Sequence, residues 1–182
     1  MSASAPIGIF DSGIGGLTVA KAVKELLPNE QIIYFGDTLH LPYGEKSANS
    51  IRRYATEISA FLKSKNCKAV LIACNSASSV ALDVTRNNLD TETILLNVID
   101  PLTNYVKKNF EHSTVGVIGT KATINSRVYQ NKLREHCQVK ALSTPLLAPM
   151  IEEGFINNKI SSTIIEEYLN NHALEGIKAL LL

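Results

Sequence analysis

Short apolar runs alternate with longer amphipathic stretches along the whole chain of 182 residues. Several of the short runs are apolar on both faces, which is typical of strands buried in a parallel sheet. Because parallel strands need a crossover that a helix usually supplies, this alternation predicts an α/β fold. The seven expected strands are Ile7–Phe10, Gln31–Phe35, Ala69–Ala73, Thr93–Val98, Thr114–Ile118, Gln138–Leu142 and Ile177–Leu182.

The apolar spacing also predicts helices between these strands, at Ser50–Lys65, Ser76–Leu89, Thr123–His136 and Ser161–His172. In the first of them one apolar stripe is formed by Ile51, Tyr54, Ala55, Ile58 and Leu62. A weak boundary follows the fourth strand, at Asp100–Pro101. It divides the chain into a first α/β domain at 1–99 and a second at 100–182.

The composition argues against several classes of function. Lys and Arg number 18 and Asp and Glu number 17, so the charge gives no case for a nucleic-acid or anionic-membrane partner. No apolar run approaches the roughly 20 residues of a membrane span, and no signal peptide is apparent, so we expect a cytoplasmic chain. Three cysteines without CxxC spacing and four histidines without a metal-binding spacing predict neither a disulfide framework nor a metal site.

Small, polar and glycine-rich segments follow four of the predicted strands, at residues 11–18, 36–47, 74–78 and 119–123. In a parallel sheet ligands bind at the carboxyl ends of the strands. These four segments are therefore the predicted site.

Cys74 is the strongest candidate for chemistry, because it ends a buried strand and directly precedes a predicted helix. Asn75 and Ser76 are the expected capping residues of that helix. A helix N-terminus favours a thiolate, so we expect the pKa of Cys74 to lie below the usual value of about 8.5. Cys67 and Cys137 lack this context and are interpreted as structural or incidental.

Other residues near the predicted site allow two interpretations each. The loop Gly13–Gly16 does not match a dinucleotide motif, and it is either an anion-binding turn or only a tight one. Asp11 either caps the helix that follows or directs its carboxylate into the site. His40 either reaches the mouth of the site or lies on the surface. The adjacent Glu152 and Glu153 are a solvated helix end unless one of them faces the site.

Taken together, these segments resemble the bacterial glutamate racemases of the aspartate/glutamate racemase family. Residues 10–18 resemble the opening motif of the family, residues 36–47 its second motif, and residues 73–78 the segment around its first catalytic cysteine. Further signatures are matched in the same order by Gly119-Thr120 with Thr123 and Ser126, and by 149–154. The glycine pattern of the opening motif favours glutamate over aspartate as the substrate.

The resemblance implies a cofactor-independent racemase built from two similar α/β domains of flavodoxin-like topology. In this family two cysteines face opposite sides of the substrate α-carbon, and the D-glutamate formed serves peptidoglycan synthesis. By resemblance, Cys74 is the first of these cysteines, and Asp11 and Glu152 are the assisting carboxylates. The implied substrate-binding residues are Asp11, Ser12, Pro42, Tyr43, Gly44, Cys74, Asn75, Ser76, Thr120 and Thr123. No cofactor, pyridoxal phosphate included, is expected.

The chain departs from the family pattern after the last predicted strand. In the family the second cysteine lies in a Gly-Cys-Thr-His segment directly after a strand that Ile177–Leu182 resembles, and the 182 residues do not contain that segment. We therefore expect an incomplete second domain and a chain that cannot racemise glutamate alone. Apolar surface around Leu180–Leu182 is expected to promote self-association, for example as a homodimer.

Two other functions compete with a racemase at this stage. A cysteine-nucleophile amidohydrolase would pair Cys74 with His40, and a covalent acyl-enzyme would identify it. A non-catalytic homologue would bind glutamate without turnover, which calorimetry would detect.

Overall fold

The chain folds into two compact units, Met1–Pro101 (unit 1) and Leu102–Leu182 (unit 2). The structure, a computed structural model, describes Ser2 and residues 4–182. All strand pairs in both units are parallel, which confirms the prediction of an α/β fold with parallel sheets. In the described part of the chain, no helix combines the length and the apolar character needed to cross a membrane.

Unit 1 contains a four-stranded sheet in the order β2-β1-β3-β4. Its strands are β1 (Ile7–Asp11), β2 (Ile32–Gly36), β3 (Ala69–Ile72) and β4 (Ile94–Asn97). The helices are α1 (Leu17–Leu26), α2 (Ala48–Ser64), α3 (Asn75–Val80) and α4 (Leu82–Asn88), with a 3-10 turn at Tyr43–Glu45. Helix α5 (Ile99–Asn109) contains the division between the units.

Unit 2 contains a three-stranded sheet in the order β6-β5-β7. Its strands are β5 (Thr114–Gly119), β6 (Gln138–Ser143) and β7 (Ala179–Leu181). The helices are α6 (Lys121–Ser126), α7 (Val128–Leu133), α8 (Leu147–Glu152) and α9 (Lys159–Leu169), with a 3-10 turn at His172–Leu174. In β7, Leu181 is buried, whereas Leu182, which follows the strand, is exposed. Self-association of the chain stays a prediction.

The predicted apolar stripe of helix α2 is buried in unit 1, where the helix packs against α3 and α4. Ile51, Ala55 and Leu62 are fully buried, as the 3–4 residue spacing predicts. The helix begins after Ser47, whose hydroxyl oxygen accepts a hydrogen bond from the Ser50 amide at 3.1 Å. This capping bond explains why the helix starts two residues before the predicted Ser50.

Two predicted helices are each interrupted by one residue, so the prediction of continuous helices at Ser76–Leu89 and Thr123–His136 is wrong. At the first interruption, Arg52 donates to the Val80 carbonyl at 2.8 Å and thereby occupies a helical acceptor. At the second, Arg127 adopts a left-handed backbone with φ of 56°. There the Ser126 hydroxyl donates to the Thr123 carbonyl at 2.6 Å and accepts from the Val128 amide at 3.2 Å. Such local side-chain bonds compete with a helical ladder.

Unit 2 repeats the strand register of unit 1. The pairs that begin the equivalent ladders are Ile7 with Ala69 in unit 1 and Val115 with Ala179 in unit 2. Along these strands Gly119 occupies the position of Asp11, and Thr120 occupies that of Ser12. The carboxyl ends of β1 and β5 therefore present equivalent positions.

The turns before β3 and β7 also share one backbone geometry. Asn66 and Gly176, each three residues before the first paired alanine, have left-handed backbones with φ of 54° and 73°. Lys68 then donates its amide to the Pro6 carbonyl at 2.9 Å, and Lys178 donates its amide to the Thr114 carbonyl at 2.8 Å. One turn geometry thus leads into the third strand of each unit.

Candidate active site

The polar segments after β1, β2 and β3 lie side by side at the carboxyl edge of the unit 1 sheet. The Asp37 amide donates to the Asp11 carbonyl at 2.9 Å, and the Ala73 amide donates to the Phe10 carbonyl at 2.8 Å. These bonds continue the strand pairing by one residue beyond each strand. They bring the residues that follow the three strands to one edge, as the sequence predicts.

Asp11 fixes the glycine loop that follows β1. Its buried carboxylate oxygen Oδ2 accepts from the Gly13 amide at 3.2 Å and from the Gly16 amide at 2.9 Å. Helix α1 begins at Leu17 with Gly16 as its N-cap residue and no side-chain cap. Asp11 is therefore not the N-cap of α1, and its carboxylate holds the turn that precedes the helix.

Strand β2 holds the same loop from another side. The Tyr34 hydroxyl donates to the Gly13 carbonyl at 3.0 Å. Gly36 makes this approach possible, because a Cβ atom at its position would lie 2.5 Å from the Gly13 carbonyl oxygen. The loop is thus anchored by side chains from two neighbouring strands.

Cys74 follows β3 at the same edge, and its side chain is buried with 6% exposure. It is itself the N-cap residue of α3: the sulfur accepts a hydrogen bond from the Ala77 amide at 3.5 Å. The prediction that Asn75 and Ser76 cap this helix is therefore wrong, because they are the first two residues inside it. The thiol also donates to the Ser12 hydroxyl oxygen at 3.5 Å, which places Ser12 and Cys74 in contact.

The pKa of the Cys74 thiol is raised to about 11, so the prediction of a lowered pKa is wrong. Burial is the largest cause, since it removes water from the thiolate, and the negative charge of Asp11 acts in the same direction. Hydrogen bonds from Ala77 and Ser12 lower the pKa, as expected at a helix N-terminus, but they do not offset burial. At neutral pH Cys74 is a thiol.

The raised pKa predicts a pH profile for alkylation of Cys74. Only the thiolate reacts, so we expect the rate with iodoacetamide to rise about tenfold per pH unit from pH 7 to 10. Relative to an unperturbed thiol, a pKa raised to about 11 makes Cys74 slower by at least about a hundredfold below pH 8. Peptide mass spectrometry measures the rate at Cys74 alone. A profile that levels off near pH 8 would contradict the assignment.

Tyr43 and His40 both bind the buried carboxylate of Asp37. The Tyr43 hydroxyl donates to Asp37 Oδ2 at 2.5 Å, and His40 Nδ1 lies 2.9 Å from both carboxylate oxygens. Burial and the Asp37 bond raise the pKa of Tyr43 well above its usual range. The His40 ring also stacks on Tyr54, with the ring centroids 4.0 Å apart. These contacts direct His40 Nδ1 to Asp37, and the hydrogen bonds of Cys74 go to Ser12 and Ala77. The pairing of His40 with Cys74 that an amidohydrolase requires stays a prediction.

The remaining predicted residues of unit 1 lie in the same two segments. Pro42 is half-buried and Gly44 is buried at the start of the 3-10 turn, and Asn75 is half-buried and Ser76 buried in the first turn of α3. Unit 1 therefore brings together at one sheet edge the predicted residues Asp11, Ser12, Pro42, Tyr43, Gly44, Cys74, Asn75 and Ser76.

In unit 2 a second group of hydroxyls lies at the carboxyl ends of β5 and β6. Thr120 caps α6 by accepting from the Thr123 amide at 3.3 Å, and the two threonine hydroxyls are 3.2 Å apart. Ser143, paired with Gly119 in the sheet, has a buried hydroxyl without a hydrogen-bond partner among residues 4–182 and Ser2. The sequence predicts Thr120 and Thr123 but gives no signal for Ser143.

Glu152 is the last residue of α8, and both it and Glu153 are exposed in unit 2. This placement agrees with a solvated helix end. A role for Glu152 as an assisting carboxylate stays a proposal.

Cys67 and Cys137 lie at the amino ends of their strands, before β3 and β6. Both are buried, and burial raises the pKa of each thiol. Neither contributes to the carboxyl edge of its sheet. Among the described residues no group of three or more His, Cys, Asp or Glu side chains could hold a metal ion.

The comparison with known proteins agrees with this geometry. The sequence profile of the Asp/Glu/hydantoin racemases matches residues 16–182. The chain belongs to the Asp/Glu/hydantoin racemase family. Within the family, it is 40% identical to the glutamate racemase of Chlorobaculum parvum over 185 aligned residues, which cover 100% of this chain and 68% of the relative. The resemblance to glutamate racemases predicted from the sequence is confirmed.

Solved racemase structures share the fold. The glutamate racemase of Francisella tularensis, crystallised in complex with D-glutamate, is 39% identical with a TM-score of 0.89, over 98% of this chain and 68% of that one. The glutamate racemase of Campylobacter jejuni is 36% identical with a TM-score of 0.88, over 97% of this chain and 71% of that one. This racemase-family chain thus spans about two thirds of each relative.

Proposed function

We propose that this chain carries one half of a glutamate racemase site, in which Cys74 removes the α-proton of glutamate from one face. The observation that carries the proposal is the position of the Cys74 sulfur. It lies at the carboxyl end of β3, at the start of a helix, and in contact with Ser12. The complex of the Francisella tularensis relative with D-glutamate supports the choice of substrate.

The substrate itself can supply the charge that activates the thiol. With a pKa of about 11, forming the thiolate at pH 7 costs about 5 kcal/mol. The Asp11 carboxylate, whose charge acts on Cys74, attracts the ammonium group of an amino acid. A bound ammonium next to the sulfur favours the thiolate and lowers its pKa. We therefore assign Asp11 two roles, holding the glycine loop and attracting the substrate cation.

The proton transfer breaks the Cα–H bond and forms an S–H bond on Cys74. The electron pair left on the α-carbon delocalises into the substrate carboxylate, so that group needs fixed hydrogen-bond donors. The Tyr43 hydroxyl is committed to Asp37. We therefore assign the backbone amides of Tyr43 and Gly44 to the substrate, because the first amides of a helical turn have no acceptor within it. By resemblance, Asn75, Ser76, Thr120 and Thr123 complete the binding groups. In the glutamate racemases that the chain resembles, the D-glutamate formed serves peptidoglycan synthesis.

Inversion needs a proton donor on the opposite face of the α-carbon. Of the three cysteines only Cys74 lies at a carboxyl strand end, because Cys67 and Cys137 precede their strands. We therefore propose that residues 1–182 exchange the α-proton of one enantiomer with solvent and return it to the same face. No cofactor takes part in this step.

Deuterium uptake tests the proposal. The purified chain is incubated with D- and L-glutamate separately in deuterated water, NMR follows deuterium at the α-carbon, and a chiral assay follows inversion. We expect uptake for one enantiomer without inversion. Inversion at an ordinary enzyme rate would contradict the single-base proposal. Absence of uptake for both enantiomers, with glutamate binding seen by calorimetry, would favour the non-catalytic alternative.

A further inference from the structure

Tyr34 is a tyrosine of strand β2 that no motif of the chain singles out. Its hydroxyl donates to the Gly13 carbonyl at 3.0 Å across 21 residues of sequence. Burial and the charges of Asp11 and Cys74 raise the pKa of Tyr34 to about 12, so the hydroxyl remains a neutral donor at every pH at which the protein is handled. Tyr34 is thus a hydrogen-bond donor close to Asp11 and Cys74.

Tyr34 binds Gly13, and hydrogen bonds hold both the amide and the carbonyl of Gly13. The Gly13 amide donates to Asp11 Oδ2 at 3.2 Å, while its carbonyl accepts from Tyr34. The Gly13 carbonyl also packs against Gly36, where a Cβ atom would lie 2.5 Å from it. Because Gly13 is fixed at its amide and at its carbonyl, little freedom is left to its neighbour Ser12.

Ser12, which precedes Gly13, connects this residue to Cys74. The thiol donates to the Ser12 hydroxyl oxygen at 3.5 Å, and the hydrogen bonds of Ser12 favour the thiolate of Cys74. A shift of the loop would change this contact between Ser12 and the Cys74 sulfur. The reactivity of Cys74 therefore depends on how firmly the loop is held.

We propose that Tyr34 is a positioning residue for Cys74: its hydrogen bond to the Gly13 carbonyl fixes the loop that keeps Ser12 on the thiol sulfur. Tyr34 acts through Ser12 and touches neither the sulfur nor the substrate. Its role in proton transfer rests on the proposed function, whereas its effect on the thiol does not.

The test is the alkylation rate of Cys74 in a double-mutant cycle of Tyr34→Phe and Ser12→Ala. Phenylalanine removes only the hydroxyl. The rate with iodoacetamide is measured between pH 7.5 and 9.5 by peptide mass spectrometry on the full chain. We expect each single variant to slow alkylation by about three- to tenfold, as loss of one hydrogen bond predicts. The double variant is expected to be no slower than Ser12→Ala alone, because Tyr34 acts through Ser12.

Tyr54→Phe is the matched control, since it removes the hydroxyl of another buried tyrosine of unit 1 that does not bind the loop. It is expected to keep the native rate. Amide hydrogen exchange gives a second measurement: the Gly16 amide, which binds Asp11, is expected to exchange faster in Tyr34→Phe and unchanged in Tyr54→Phe. An unchanged or faster alkylation rate in Tyr34→Phe, or effects that add in the double variant, would overturn the proposal.

Thiol alkylation and deuterium uptake report on separate proposals. If native protein takes up no deuterium from glutamate but the cycle shows coupling, the positioning role stands and the proposed function fails. If uptake occurs and the cycle shows no coupling, the proposed function stands and Tyr34 has no positioning role.

Discussion

Replacing Cys74 by alanine is expected to slow deuterium uptake at the α-carbon of glutamate by about 10³-fold, with little change in glutamate affinity. The variant removes the proposed base, which acts in the transition state, and leaves the backbone amides and hydroxyls around it. Alanine fits the site because the Cys74 side chain is small and its capping bond to Ala77 is a weak sulfur contact of 3.5 Å. NMR of the α-proton measures the rate, and calorimetry measures the affinity.

Cys67→Ala is the control for this variant, because Cys67 lies at the opposite end of β3 in the same unit. It is expected to keep the native uptake rate at a temperature where the protein is folded. Near-native uptake in Cys74→Ala would show that another group removes the proton. Equal losses in the two variants would attribute the effect to the fold and not to the thiol.

Gly16→Ala is expected to lower the free energy of unfolding of unit 1 by about 2 kcal/mol. The new Cβ atom would lie 2.6 Å from the Asp11 Cβ and 3.0 Å from the Ala73 Cβ. Both neighbours are Cβ atoms held by the strands, so no flexible chain end can move away. The backbone of Gly16, with φ of −65°, suits alanine, so the loss reports the close contacts and not backbone strain. Urea unfolding followed by circular dichroism measures it.

Gly15→Ala is a closely matched control, one residue earlier in the same loop. Its Cβ atom would lie 3.7 Å from Asp11 Oδ2 and meet no other atom within 4 Å among the described residues, which is an ordinary contact. We expect the unfolding curve of Gly15→Ala to match the native one. If Gly16→Ala and Gly15→Ala have the same free energy of unfolding, the close approach of Gly16 to Asp11 and Ala73 does not contribute to stability.

The strands are predictable from the sequence because buried parallel strands are apolar on both faces, and each of the seven appears where it is expected. Helix α5 is not predicted, since Pro101 resembles a boundary. Proline is tolerated in the first turn of a helix, and there Asn97 caps the turn by accepting from the Ile99 amide at 2.9 Å. The interruption after Val80 depends on a hydrogen bond from Arg52, 28 residues away, which no local pattern reveals.

The residues of the site are predictable by motif, but their electrostatics are not. The helix N-terminus at Cys74 is visible in the sequence, whereas the burial of its sulfur and the neighbouring Asp11 charge depend on the folded strands. The same holds for Tyr43, whose hydroxyl donates its proton to Asp37. Tyr34 belongs to no predicted motif because its contact with Gly13 joins two strands.

The turns before β3 and β7 show what the backbone requires at the start of the third strand of each unit. Asn66 and Gly176 adopt the same left-handed backbone at the same register of their units, and asparagine is one of the few residues besides glycine that tolerate it. The constraint on each turn is therefore the left-handed backbone and not a particular side chain, and Asn66 and Gly176 both satisfy it.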